Sequence, residues 1–266
     1  MNDKKVIIVT GASRGIGMAV CAIFLEKGHI VYGLSRSGCD LEGVKSIICD
    51  ITDGIALEKA IRGIFTAEKH IDILINNAGG GISGSAEKTS LNDAKRLFDL
   101  NFFAPFQAVK FAVPFMRAAK NGIIINIGSV AGVMHVPFQA FYSASKAALE
   151  AFSNCLRGEL APFGIKAAAI LPGDTRTNFT DAREKNFSEN DPDYGSRISR
   201  SIKLMENDER GGMSASKVAE IVYRAALSKN PKPVYTAGFK YKFFLLLNRL
   251  LPKRFVQYIL NIMYAK

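Results

Sequence analysis

Short, continuous apolar segments alternate with helical patterns along most of this chain. Strands that alternate with helices form βαβ units, in which the strands pair in parallel. Apolar segments without polar interruptions suit strands that helices cover on both faces. The sequence therefore predicts an α/β fold with a doubly wound parallel sheet. The predicted strands are residues 5–10, 29–34, 45–49, 71–75, 122–127 and 165–170, and the predicted helices are residues 15–27, 53–69, 90–118 and 141–161.

The length and composition fit one globular domain. At 266 residues, of which 48% are hydrophobic and 22% charged, the chain can bury a substantial core. We expect a single domain over residues 1–238 and a basic, apolar extension over residues 239–266. Residues 178–212 are polar and interrupt the strand–helix pattern, which predicts a mobile lid or substrate loop, with a disordered surface insertion as the alternative.

Cysteine and histidine usage favours a cytoplasmic protein without a metal site. The four cysteines form no CxxC pair, which predicts reduced, structural thiols. The three histidines (His29, His70 and His135) are scattered, so we expect no metal. The strand-like residues 6–9 follow the first few residues directly, so we expect no secretory signal.

Positive charge is concentrated near the end of the sequence. The net charge is +11, and residues 221–266 contain nine basic residues and no Asp or Glu. The rest of the chain is therefore nearly neutral. This distribution argues against a general nucleic-acid-binding face.

A glycine-rich turn follows the first predicted strand and opens the first predicted helix. Glycines allow a backbone to approach a pyrophosphate closely, and the free N–H groups of a helix start attract the anion. A tight strand–helix connection without a ligand is the alternative. The candidate cofactor-binding residues of this turn are Gly11, Ser13, Arg14, Gly15, Ile16 and Gly17.

The end of the second strand predicts which dinucleotide binds. An acidic residue about 20 positions after the glycines would hold the ribose 2′-hydroxyl of NAD. Ser35 stands there instead and carries no charge to repel a 2′-phosphate, while Arg36 and Arg14 offer planar donors for it. We therefore predict NADP(H), with exposed, solubilising arginines as the alternative. Asp50 and Ile51 are expected to contact the adenine.

Tyr142 and Lys146 are four residues apart on a predicted helix, which places their side chains on one face. A cation beside a phenol lowers its pKa from about 10. We expect Lys146, a bound cofactor cation and partial burial to bring Tyr142 towards neutrality together. Such a tyrosine can exchange a proton with a substrate hydroxyl or carbonyl.

Further short motifs occur in order along the chain. Asn76-Asn77-Ala78-Gly79 follows the fourth strand, Asn101 lies in Leu-Asn-Phe, Ser129 follows Gly128, and Pro172-Gly173 follows the sixth strand with Thr177 beyond it. With these motifs, residues 5–235 resemble the short-chain dehydrogenase/reductase family. The resemblance implies a Rossmann-type sheet of about seven strands in the order 3-2-1-4-5-6-7. Thr175 departs from the apolar residue common at its position.

The resemblance also implies roles for these residues. Tyr142 would donate or accept the proton, Ser129 would stabilise the substrate oxygen, Lys146 would hold the nicotinamide ribose, and Asn101 would order the lysine and the proton path. Further cofactor contacts are implied for Asn77, Ala78, Gly79, Pro172, Gly173, Thr175 and Thr177.

The predicted substrate is lipophilic because residues 130–141 are notably apolar. Those side chains could instead simply pack against the lid. The candidate substrate residues are Gly81, Val130, His135 and Phe138.

The basic extension predicts two short helices, at about 241–251 and 253–264. Charges and Pro252 interrupt every apolar run before it is long enough to span a bilayer. The helices could lie on an anionic membrane surface or pack over the substrate pocket or a neighbouring subunit. The sequence leaves these alternatives open.

Together these features predict an NADP(H)-dependent oxidoreductase that interconverts a carbonyl and an alcohol on a steroid-, retinoid- or lipid-like ketone. A 3-oxoacyl-thioester reductase is the alternative within the enzyme class, and a non-catalytic NADP sensor or a membrane-surface scaffold are alternatives outside it. The resemblance implies a homodimer or homotetramer assembled through the helices around 90–118 and 141–161.

Overall fold

Seven parallel strands form the central sheet of this protein. The computed structural model describes residues 4–265, so Met1–Asp3 and Lys266 of the predicted terminal regions lie outside it. The strand order is β3-β2-β1-β4-β5-β6-β7, which confirms the predicted order and fold class. The strands are β1 Val6–Thr10, β2 Ile30–Ser35, β3 Lys45–Ile48, β4 Ile73–Asn76, β5 Gly122–Ile127, β6 Ile165–Pro172 and β7 Val234–Ala237.

Ten α-helices are assigned over the described residues. They are α1 Gly15–Glu26, α2 Gly54–Glu68, α3 Leu91–Phe98, α4 Ala104–Ala118, α5 Ala140–Leu160, α6 Phe179–Ala182, α7 Gly195–Arg210, α8 Ala215–Ala226, α9 Phe239–Leu250 and α10 Lys253–Tyr264. Two pairs of two-residue strands lie outside the central sheet: Ile82–Ser83 with Glu184–Lys185, and Thr175–Arg176 with Met213–Ser214.

Helices cover both faces of the sheet. Val6 and Ile8 of β1 pack in one core layer with residues of α2, α4 and α5. Ile7 and Val9 pack in the opposite layer with residues of α1 and α8. Because successive strand residues point to opposite faces, a strand buried on both sides has to be apolar throughout. This is why β1 reads as an uninterrupted apolar segment.

The segment predicted as a polar loop contains a regular helix. Residues 195–210 form α7, which was missed because its sequence is mostly polar. Ile198, Ile202 and Met205 recur every three or four residues and form the buried face that packs against Phe138. The predicted lid is therefore largely helical.

The long helix predicted over residues 90–118 is interrupted. A π-helical turn, Asp99–Phe103, separates α3 from α4. Such turns place an extra residue in a helix and occur frequently at functional sites. Asn101 lies in the middle of this turn.

The C-terminal helices begin and end close to their predicted bounds. We expected helices at about 241–251 and 253–264, and α9 and α10 occupy Phe239–Leu250 and Lys253–Tyr264. Over residues 4–265, no helix is both long enough and apolar enough to cross a bilayer. The four cysteines are unpaired, as expected, and only Cys155 is exposed.

Two isoleucines on α2 test the contribution of the core. Ile61 is fully buried, whereas Ile55 is 83% exposed. We expect Ile61→Ala to lower the free energy of unfolding by about 2–5 kcal/mol, and Ile55→Ala to change it by less than about 0.5 kcal/mol. Urea denaturation of both variants measures the difference. Equal losses would contradict the assignment of Ile61 to the core.

Candidate active site

The carboxyl ends of the central strands open into one large cavity. Its volume is about 1120 Å³, and it extends from the glycine-rich turn after β1 to the C-terminal helices. Parallel strands place their carboxyl ends at one edge of a sheet, where ligands of this fold class bind. The predicted phosphate turn and the Tyr142–Lys146 pair both line this cavity.

The turn after β1 forms a cradle that only glycine allows. Gly11 and Gly15 have φ values of +67° and +58°, a region that other residues rarely adopt. A Cβ atom at Gly17 would lie 2.1 Å from the Gly11 carbonyl oxygen. No side chain caps the first turn of α1, so its N–H groups are available to an anion. The turn therefore fits the pyrophosphate of a dinucleotide.

Asn77 holds this turn in place. Its side-chain amide donates to the carbonyl oxygens of Thr10 and Gly11, at 2.9 Å and 3.1 Å. The Thr10 hydroxyl in turn accepts hydrogen bonds from the backbone N–H groups of Asn77 and Ala78. Asn77 and Ala78 line the cavity, and these contacts also connect the end of β4 to the end of β1.

The residues predicted to choose the dinucleotide lie together at one end of the cavity. Ser35 is buried, and its hydroxyl donates to the Gly38 carbonyl oxygen at 2.7 Å. Arg14 and Arg36 are exposed and line the cavity. The backbone N–H of Thr52 holds the pKa of the Asp50 carboxyl below its usual value, and the Arg36 cation acts in the same direction.

Neither arginine at this end forms an ion pair with any residue in the range 4–265. Their guanidinium groups are therefore free to bind a phosphate. Ile51, predicted to pack on the adenine, lies beside Asp50 on the wall of the same cavity.

Lys146 is buried at the base of the cavity. It is only 4% exposed, and its Nζ donates to the Ile127 carbonyl oxygen at 2.9 Å. Burial lowers the pKa of this lysine to about 8, since a low-dielectric surrounding disfavours the ammonium form. Lys146 therefore titrates close to physiological pH.

Tyr142 differs from its prediction in one respect. We expected its pKa to be lowered, with burial among the causes, but the pKa of Tyr142 is raised, chiefly because burial disfavours the phenolate. The neighbouring Ser129 hydroxyl acts in the opposite direction. Lys146 does not offset the burial, and its ammonium group is bonded to the Ile127 carbonyl. Burial therefore acts against the expected direction, and the lowering expected from Lys146 and a bound cofactor cation together stays a prediction.

Asn101 holds the backbone beside the lysine. Its side chain accepts from the Gly80 N–H at 2.9 Å and donates to the Gly80 carbonyl at 3.0 Å and to the Ser145 hydroxyl at 3.0 Å. Ser145 then donates to the Tyr142 carbonyl oxygen at 2.8 Å. A Cβ atom at Gly79 would lie 3.1 Å from the Asn101 Oδ1 and 3.3 Å from the Lys146 Nζ. Asn101 thus connects to helix α5 through Ser145.

The turn after β6 closes the cavity next to the phosphate cradle. Pro172, Gly173, Thr175 and Thr177 all line the cavity. The Thr175 hydroxyl donates to the Gly173 carbonyl at 2.9 Å, which satisfies its polar group locally. A Cβ atom at Gly15 would lie 3.3 Å from Thr177. The two predicted cofactor turns therefore meet.

Two of the four predicted substrate residues line the cavity, and two do not. Gly81 and Val130 lie on its wall. His135 is exposed to solvent and is not among the lining residues. Phe138 has a positive φ of 63° and packs in the cluster formed by α7, away from the lining. The sequence placed both residues in an apolar loop but could not show which way each side chain points.

The C-terminal helices form a wall of the cavity. The sequence had left their partner open between a membrane surface, the substrate pocket and a neighbouring subunit. The Tyr241 hydroxyl is hydrogen-bonded to the Asp174 carboxylate, and its ring lies against Gly173. The apolar face of each helix indicated in the sequence that the helix packs against something. The sequence could not show that this partner is the cavity. The apolar residues of α9, α10 and the turn between them that line the cavity include Phe244, Leu247, Leu251, Val256, Leu260 and Met263.

Residues of the lid also reach Tyr142. The Phe179 ring centroid lies 5.6 Å from that of Tyr142. Arg183 and Glu209 form an ion pair in which the arginine side chain is almost completely buried, and Thr180 donates to the same carboxylate at 2.6 Å. No sequence pattern indicates this ion pair, because its two residues are far apart along a polar segment.

Comparisons with known proteins agree with this geometry. The profile of the short chain dehydrogenase family matches residues 5–187. The chain is 38% identical to a 3-ketodihydrosphingosine reductase of Bacteroides thetaiotaomicron over 99% of both proteins. It is 31% identical to an NADPH-dependent 3-dehydrocapnine reductase of Ornithobacterium rhinotracheale, covering 93% of this chain and 95% of the relative. A short-chain dehydrogenase from Streptomyces avermitilis superposes with a TM-score of 0.83 at 28% identity, with 92% of both chains covered.

The lowered pKa of Lys146 predicts a pH-dependent stability. An unfolded lysine holds its proton up to about pH 10.5, whereas the folded one loses it above about pH 8. Between these values the unfolded state binds more protons, so stability rises with pH. We expect wild type to gain about 2 kcal/mol over Lys146→Met between about pH 7 and pH 10. Chemical denaturation at both pH values measures this.

The exposed Lys59 provides the matched control. The same substitution there, Lys59→Met, leaves the pH dependence of the unfolding free energy unchanged. If Lys146→Met also followed the wild-type curve, the lowered pKa would be refuted.

Proposed function

The chain belongs to the short-chain dehydrogenase/reductase family, and we propose that it is an NADP(H)-dependent oxidoreductase that interconverts a ketone and an alcohol on a long, lipophilic substrate. The observation that carries this proposal is the apolar wall formed by α9 and α10, which continues the cavity that contains Tyr142. A small polar substrate would leave that wall in contact with water.

Tyr142 is the proposed proton donor in the direction of reduction. Its raised pKa keeps the phenol protonated at neutral pH, so the hydroxyl carries a proton for the developing alkoxide. The Ser129 hydroxyl, beside it, would donate a hydrogen bond to the same substrate oxygen. When bound, the nicotinamide cofactor supplies or accepts the hydride.

Lys146 and Asn101 have supporting roles in this proposal. The Lys146 ammonium reaches the cavity from below and would bind the hydroxyls of the nicotinamide ribose. Asn101 fixes the Gly80 backbone and, through Ser145, the first turns of α5. The contacts of Asn101 thereby keep the start of α5, with Tyr142 and Lys146, in a fixed position. Fixed positions lower the entropic cost of reaching the transition state.

The names of two relatives support a lipid ketone as the substrate. One acts as a 3-ketodihydrosphingosine reductase and the other as a 3-dehydrocapnine reductase. An apolar wall with several Leu, Ile and Phe side chains suits the alkyl part of such a molecule. The second relative is NADPH-dependent, which supports NADP(H) together with the two free arginines beside Ser35.

Assembly and location remain predictions. A homodimer or homotetramer is supported by exposed apolar residues along α3, the π-helical turn and α4, namely Leu91, Phe103 and Phe106. A cytoplasmic location remains the expectation from cysteine usage.

Loss of the Tyr142 hydroxyl tests the reaction. We expect Tyr142→Phe to lower kcat for NADPH-dependent ketone reduction by at least about 100-fold, because the general acid is removed. Absorbance of NADPH with a panel of long-chain ketones, short ketones and 3-oxoacyl thioesters measures the rate and the preferred class.

Tyr258→Phe is the control, because Tyr258 is exposed and lies outside the cavity lining. Equal activity of Tyr142→Phe and wild type would remove Tyr142 from the chemistry. A wild-type protein that binds NADPH but reduces nothing in the panel would instead favour a cofactor sensor.

Substitution of Arg36 tests the cofactor choice. We expect Arg36→Ala to raise the KM for NADPH by about 10- to 100-fold, since a charge-assisted contact to the 2′-phosphate is lost, and to leave the KM for NADH nearly unchanged. Ser35→Asp should have the larger effect on NADPH, because it adds a repelling carboxylate. Arg200→Ala, an exposed arginine on α7 away from the cavity, is the matched control. Equal effects on both cofactors would contradict NADP(H) selectivity.

A further inference from the structure

The helix α9 has two apolar faces, and only one of them packs against the protein. A helix on the surface of a globular domain normally has a single apolar face directed at the core. The inner face of α9 lines the cavity. The residues of its outer face recur every three or four positions and are Phe239, Phe243, Leu246 and Leu250, of which Phe239 is 87% and Leu250 70% exposed.

The helix α10 repeats this arrangement. Its inner face contains Leu260, the one residue of the two helices classed as buried. Its outer face is again apolar and exposed, and it consists of Phe255, Tyr258, Ile259 and Ile262. Two consecutive helices thus each expose an apolar face, and exposed apolar patches of this kind mark a binding site for a partner or a membrane.

Basic residues accompany these outer faces. Lys242, Arg249, Lys253 and Arg254 are all exposed, and residues 221–266 contain no acidic residue that could neutralise them. The combination of aromatic and aliphatic side chains with lysine and arginine matches the interfacial region of an anionic bilayer, where the apolar groups enter and the cations bind the headgroups.

The cavity reaches the surface at this pair of helices. Ile259 and Met263 line the cavity and are themselves 39% and 49% exposed. The apolar wall beside Tyr142 is therefore continuous with the apolar outer surface. A molecule with a long alkyl chain could pass between them without leaving an apolar surrounding.

We infer that the C-terminal helix pair, α9 and α10 (residues 239–264), lies on an anionic lipid bilayer through its outer faces, and that the lipid substrate reaches the cavity along it. The helix pair rests on the bilayer without crossing it, in agreement with the shortness of both helices. The proposed binding to the bilayer depends only on the helix pair. The passage of substrate rests in addition on the proposed function.

A second copy of the chain is a less suitable partner for this surface. In a symmetric dimer the same patch of both subunits meets, so the basic residues of one helix pair would face those of the other. Like charges across an interface oppose association. An anionic bilayer neutralises the same charges.

Sedimentation with vesicles tests the inference on the full chain. The vesicles are phosphatidylcholine with about 30% phosphatidylglycerol, compared with phosphatidylcholine alone. We expect wild type to sediment with the anionic vesicles and to be released by high salt. Each surface cation contributes roughly a factor of five, so a Lys242→Gln, Arg249→Gln, Arg254→Gln variant should bind about 100-fold more weakly.

An apolar variant tests the outer face directly. The variant Phe243→Ser, Leu246→Ser, Leu250→Ser should also lose binding by about 100-fold, because buried apolar area is removed. None of these side chains lines the cavity, so turnover of a short, water-soluble ketone and the melting temperature should remain near wild type. Turnover of octadecanone carried in the anionic vesicles should fall about tenfold or more.

Matched controls alter equally exposed residues elsewhere. The charge control is Lys59→Gln, Lys203→Gln, Lys217→Gln, and the apolar control is Ile48→Ser, Ile55→Ser, Phe163→Ser. Both should sediment with anionic vesicles as wild type does.

Three results would overturn the inference. They are a wild-type protein that remains in the supernatant, variants of the C-terminal helix pair that bind as well as wild type, or a dimer in sedimentation velocity that only the apolar variant of the helix pair dissociates. Failure of the proposed function looks different. In that case wild type consumes no NADPH with any ketone, while the vesicle results stand unchanged.

Discussion

All seven central strands run in the same direction, and the candidate site depends on this constraint. Parallel pairing brings the ends of β1, β4, β5 and β6 to one edge. The phosphate cradle, Asn77, Ser129 and the turn after β6 each follow one of these ends, so residues far apart in sequence meet around one cavity. The buried, apolar strands fix these positions, because a shift of one residue would exchange the two core layers.

The fold and the conformation of the glycine-rich turn after β1 could be predicted because local sequence determines them. An apolar strand such as Val6–Val9 has to be covered on both faces, and Gly11, Gly15 and Gly17 meet backbone and steric conditions that few other residues satisfy. The spacing of Tyr142 and Lys146 also follows from helix geometry alone. For these positions, the residue type and its place along the chain were sufficient.

The remaining features depend on contacts that no local pattern records. Lys146 follows Tyr142 by one turn, yet its ammonium group is bonded to the Ile127 carbonyl, and burial raises the pKa of Tyr142. The apolar residues of α7 were hidden among charged ones, and the side-chain direction of Phe138 was set by their packing. Asn101 was expected near the lysine. Its hydrogen bond to Ser145 could not be predicted, because Asn101 lies in a π-helical turn where the sequence predicted a continuous α-helix.

The helices α9 and α10, which line the cavity, follow the seventh strand directly and are joined to it along the chain by Gly238. Substitutions within this C-terminal segment can change the length or shape of the binding chamber while the strands, the cradle and helix α5 keep their sequence. Natural variants of such an enzyme could exchange one preferred chain length for another through a segment of the protein that takes no part in the proton or hydride step. Selectivity and chemistry would then evolve separately.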